Sequence, residues 1–149
     1  LQEVMVMVVS VLGYRLEALR GRLERWLLGA RAKRYELLAV VKLAKLLHPE
    51  EVRLLRSRKC PWCGRHFTTY SGLKLHLKSR GKCGWQLWDL ENHVLEVYAE
   101  LKQKLEEVKH RKGGNYKLAN SEGIVYKFKH ITEAATFYVN HVLKVAQHG

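Results

Sequence analysis

All three cysteines of this chain fall between residues 60 and 83, as Cys60-Pro61-Trp62-Cys63 and, further on, Cys83. Two residues separate the first pair, twelve separate Cys63 from His76, and six separate His76 from Cys83. This spacing constrains the fold more than any other feature. A Cys-x-x-Cys knuckle aims two thiolates at one point, and Gly64 lets the chain leave the knuckle. The twelve-residue gap leaves room for a short returning strand and a helix that offers His76 from its inward face. Leu73 lies one turn before His76 on that face, and Phe67 is placed to pack against it as a minimal core. A unit of about 25 residues cannot be held by burial alone, so a bound metal would supply much of its folding free energy. Three cysteines are too few for a disulfide scaffold. A redox Cys-x-x-Cys would open a helix in a βαβ setting that is absent here, and a catalytic thiol would need an activated base nearby.

From Cys60 to His76 the three donors, the aromatic Phe67 and the leucine Leu73 stand at spacings that resemble the zinc finger with two cysteine and two histidine ligands. The resemblance covers about 25 of the 149 residues. It implies a ββα fold and one structural Zn²⁺ held by Cys60, Cys63, His76 and Cys83. Two departures stand out. Cys83 occupies the place of the second histidine, and six residues precede it where three to five are usual. Ser79, Arg80 and Gly81 in that gap predict an early helix end and a loop that swings Cys83 back. His66 could replace His76 only by discarding the Phe67/Leu73 pattern. Three thiolates, one imidazole and Zn²⁺ would carry a formal charge of −1, offset by Lys59, Lys78 and Lys82.

In that family, base contacts come from the start of the finger helix, which here implies Thr69, Gly72 and Leu75, with Ser71 between. Gly72 has no side chain and Leu75 cannot hydrogen-bond, so the set is poor for reading bases and leaves Leu75 free to pack on flanking helices. A single finger reads only about 3 bp. Arg58, Lys59, Arg65, Lys74, Lys78, Arg80 and Lys82 suit phosphates better than bases, and Tyr70 suits a phosphate or sugar. Trp62 at the knuckle tip has two readings, packing on neighbouring helices or stacking on an unpaired base.

The distribution of charge agrees with those assignments. The chain carries a formal charge of +13. Residues 52–88 hold Arg53, Arg56, Arg58, Lys59, Arg65, Lys74, Lys78, Arg80 and Lys82 and no carboxylate at all. The flanks are mixed in sign, as a solvated surface usually is, so the acid-free stretch points to a polyanion.

Around this unit the sequence reads as helical. Leu1, Met5, Val8, Leu12, Leu16, Leu19, Leu23 and Trp26 form one stripe over residues 1–28, weakened by Gly13 and Gly21; the run Val4–Val9 is also compatible with a strand. Ala32–Leu47 is apolar on much of its circumference and predicts a largely buried helix. Pro49, followed by Glu50 and Glu51, opens a short helix ending at Arg56. A second stripe, Leu87, Leu90, Val94, Tyr98, Leu101, Leu105 and Val108, predicts a helix from Gln86 to Arg111. Tyr116–Ala119 and Ile124–Phe128 predict a hairpin turning at Asn120–Gly123. Thr132 is placed to cap a last helix, Glu133–Gln147. The stripes suit packing within one chain or a coiled-coil homodimer.

The expected architecture is therefore mainly α: a helical segment over residues 1–57, an inserted ββα finger over 58–84, and a helix–hairpin–helix segment over 85–149. The expected partner is duplex DNA, and the expected role is transcriptional regulation. RNA or single-strand binding, and a protein-interaction module stapled by zinc, are the alternatives. No metalloprotease His-Glu-x-x-His, phosphate loop or paired carboxylate site occurs, so no catalytic residues are assigned and an enzyme is not expected. The longest apolar stretch, Val4–Leu12, is interrupted by Ser10 and short of the ~20 residues a membrane span needs, and an intracellular protein is expected. Thirteen glutamates, one aspartate and few amides suit a hyperthermophilic source. Small single-finger proteins of archaea and their viruses look similar.

Overall fold

A computed structural model of the chain describes residues 34–78, 81–108 and 115–143. The stripe expected over residues 1–28, Arg80 and the end of the last expected helix lie outside them. Within the described residues the protein is mainly helical, with a small antiparallel sheet. No helix among them is long and apolar enough to cross a membrane.

Helix α1 (Arg34–Leu47) buries Leu37, Ala39, Val40, Val41, Leu43 and Ala44, which cover most of its circumference, as its sequence predicts. It is the central element, packed against both α4 and α5. Helix α2 (Pro49–Arg56) starts at the proline, with both glutamates in its first turn, and buries Val52 and Leu55. Its end needs a left-handed residue. Arg58 N–H donates to Leu55 O and Lys59 N–H to Leu54 O, and Arg58 itself sits at φ 62°. This is the arrangement in which glycine is the usual terminator. Arg58 holds it because its guanidinium donates to Thr68 O at 3.0 Å and lies over the Tyr70 ring.

After the short helix α3 (Tyr70–Lys78) comes α4 (Lys82–Lys104), the longest element. The sequence places its start at Gln86 and its end at Arg111, and the structure corrects both. Gly81, in extended conformation, precedes the helix, so Cys83 lies in the first turn of α4 rather than in a loop. At the other end Leu105 is extended, and Glu106–Val108 forms strand β1. Leu105 and Val108 suit a helical stripe locally, but Glu106 and Val108 lie opposite Lys117 and Asn115 in a sheet, and long-range pairing overrides the local pattern. The hairpin of β2 (Asn115–Ala119) and β3 (Val125–Phe128) completes an antiparallel sheet of order β1-β2-β3. The Asn120 side chain accepts from Glu122 N–H and Ile124 N–H, and Gly123 turns at φ 83°.

Helix α5 (Ile131–Phe137) starts two residues before its expected first residue. Thr132 is not its cap: it lies inside the first turn, where its carbonyl accepts from the Thr136 hydroxyl at 2.9 Å. The helix then widens into π-turns over Tyr138–Leu143, with Tyr138 buried and its hydroxyl donating to Glu100. One apolar cluster runs from α1 through α4 and α5 and includes Leu73, Leu77 and Cys60. The segment around the cysteines thus rests on the helical body.

Candidate metal centre

The chain leaves α2 through the turn at Arg58 and makes one antiparallel bridge, Lys59 to His66. The two strands expected before the finger helix shrink to that single bridge. Between its arms, the knuckle uses up the residues that strands would need: Cys60 N–H donates to Arg65 O, and Gly64 N–H donates to Cys60 O, both at 2.9 Å. Gly64 turns at φ 78°, and a side chain there would meet no atom, so its requirement is conformational rather than steric. Phe67 N–H then donates to Arg58 O.

Helix α3 is capped by Thr69, whose hydroxyl accepts from Gly72 N–H at 3.1 Å. Leu73 and Leu77 face inward and are buried. His76 lies beside them, its ring 5.1 Å from that of Phe67, and its Nε2 is 3.5 Å from Cys63 Sγ. The first turn of α4 brings Cys83. The donor atoms of Cys60, Cys63, His76 and Cys83 all lie within 4.8 Å of one another. Tetrahedral bonds of zinc to sulfur and nitrogen imply edges of about 3.5–3.8 Å, so these four residues can hold a metal ion with little movement.

The electrostatics of the cluster favour a cation. The Arg65 backbone N–H, hydrogen-bonded to the Cys63 sulfur, lowers that thiol's pKa. Burial, then the sulfurs of Cys60 and Cys63, push the Cys83 thiol up to about 12. A divalent ion placed among the sulfurs favours thiolate over thiol.

The other residues singled out in the sequence divide into two groups. Lys59, Ser71, Lys78 and Lys82 are exposed, and Lys74 is half-buried. Thr69, Tyr70, Arg58 and Arg65 have structural duties: Thr69 caps α3, Tyr70 donates to Arg56 O at 2.6 Å, Arg58 ties the turn to Thr68, and the Arg65 guanidinium covers the Phe67 ring. Trp62 is half-buried and packs on the core. Leu75 does not pack on flanking helices; it is 70% exposed on the outer side of α3. His66 enters the bridge by its backbone and is not in the cluster.

Sequence reading missed a second polar group. His48 Nε2 and His93 Nδ1 lie 2.8 Å apart, joining the corner between α1 and α2 to α4, and Glu51 sits 3.5 Å from His48 Nδ1. Only the close approach of residues 45 apart reveals it. Comparison with protein-family models, with curated proteins and with solved structures found no match to this chain.

Proposed function

We propose that this chain is a zinc-stapled DNA-binding protein, a transcriptional regulator that docks on duplex DNA through the basic segment around Cys60–Cys83. The observation that carries the reading is the coincidence of two features: four thiol and imidazole donors within 4.8 Å of one another, inside a stretch with nine cations and no carboxylate. Three sulfurs and one imidazole suit zinc among common divalent ions. Four protein ligands leave the ion no open position for water, so its part is structural. Exposed Lys59, Lys78 and Lys82 supply phosphate contacts, and the bound ion holds their backbone in place. One finger with Gly72 and Leu75 at its reading positions gives affinity for the backbone more than for sequence.

The test is binding of the zinc-loaded protein to random-sequence duplex DNA across a salt series. The expected log–log slope corresponds to several released counterions, and Lys59/Lys78/Lys82→Ala lowers it by about 0.9 for each phosphate that is no longer neutralised. No binding at low salt overturns the reading and leaves the metal cluster as an internal staple.

A further inference from the structure

Tryptophan is highly buried on average in folded chains, yet Trp85 is 54% exposed. It stands in the opening turns of α4, two residues after Cys83, so the metal cluster fixes the backbone that carries it. Its ring meets that of Trp88 edge to face, with centroids 6.4 Å apart and planes at 78°, a contact that restrains the indole. Exposed Lys82 stands one turn earlier on α4, and exposed Lys78 ends α3. Trp85 falls within the acid-free stretch, whose first following carboxylate is Asp89, one turn later on α4.

A large exposed aromatic at the end of an acid-free stretch with nine cations suits a partner that presents π-faces and negative charge together. A neutral apolar protein surface would leave the lysines without counter-charge. We propose that Trp85 is a stacking platform for an unpaired nucleobase whose flanking phosphates are held by Lys78 and Lys82. The inference rests on the nucleic-acid reading above and deepens it: the preferred substrate is DNA with unpaired bases, such as a melted or looped duplex. Stacking on an aromatic tolerates any base, which agrees with the poor set of base-reading residues on α3.

The experiment compares binding of the zinc-loaded full chain to an intact duplex and to the same duplex with a central unpaired loop carrying 2-aminopurine. The expected result is a preference for the looped DNA of about fivefold to a hundredfold, with quenching of the 2-aminopurine on binding. Trp85→Ala is expected to reduce that preference to near unity and abolish the quenching, while Trp85→Phe keeps part of both. Val125→Ala, which removes an exposed side chain of β3 outside the basic segment, is expected to leave both unchanged. Zinc content of each variant reports that the fold is intact. Equal affinity of the wild type for the two DNAs, or a preference that survives Trp85→Ala, overturns the stacking platform while salt-sensitive duplex binding stands. Failure to bind either DNA at low salt overturns both readings.

Discussion

Replacing Cys83 by serine tests the metal centre at its least expected ligand. Cys83 is contributed by α4, the others by the knuckle and α3, so it alone ties the cluster to the longest helix of the body. Structural zinc in units of this size contributes about 10–16 kcal/mol at neutral pH. If four ligands share that roughly equally, one carries about 2.5–4 kcal/mol, a drop of about 60- to 700-fold in affinity when it is removed. Serine cannot replace it, because its hydroxyl stays protonated where a coordinated thiol ionises. A second signature comes from protonation. Burial and the neighbouring sulfurs push Cys83 to about 12, so without metal it is a thiol at neutral pH and must release a proton on coordination. The assay is zinc titration against a chromophoric chelator, with calorimetry in two buffers of different protonation enthalpy to count protons. The variant is expected to bind more weakly by the factor above and to release about one proton fewer. An affinity within about threefold of wild type, with an unchanged proton count, would refute the assignment of Cys83 and with it the cross-link between α3 and α4.

Two further outcomes follow from the geometry. Gly64→Ala places a Cβ in open space but at φ 78°, so the zinc-loaded protein is expected to lose about 1–2 kcal/mol in thermal or denaturant unfolding; unchanged stability would mean that the knuckle relaxes freely. His48 has a lowered pKa, first because it is partly buried and then because His93 faces it, with Glu51 acting in the opposite direction. Its folded value lies below the ordinary 6.5, so the unfolded chain takes up the proton first on acidification. Its contribution to stability is therefore complete above about pH 6.5 and is lost as the pH falls through the folded value. Denaturant unfolding of wild type and His48→Gln between pH 5 and 7 checks this, and an equal slope in both would show that His48 is not the group responsible.

The close-range features of this protein were legible because backbone geometry acts over a few residues. Pro49 and two glutamates set the start of α2, and Asn120-Ser121-Glu122-Gly123 set the hairpin turn. The Cys60/Cys63/His76/Cys83 spacing selected the four residues whose donors converge. The Phe67/Leu73 spacing predicts the inner side of the cysteine unit, and both residues pack on the core.

The two misread boundaries have different causes. At Leu105–Val108 the helical stripe is a local pattern, and pairing with β2, distant in sequence, makes a strand of it. At Cys83 the cause is local: extended Gly81 precedes a helix that starts at Lys82, four residues before the expected start. Arg58 in a glycine conformation is intelligible only with Thr68 and Tyr70 beside it. The buried Glu36, paired with Lys102 at 3.2 Å across 66 residues, and the His48–His93 contact left no mark in the pattern at all. Sequence alone determined the helical class, the donor set and the acid-free run of cations, because composition and short spacings suffice for those. Tertiary structure alone decided that the Cys/His cluster is joined to α4 through Cys83, that Arg58, Arg65, Thr69 and Tyr70 hold the unit together, and that Leu75 and Trp85 face outward. Burial and long-range contact depend on which surfaces meet, and a one-dimensional pattern does not carry that information.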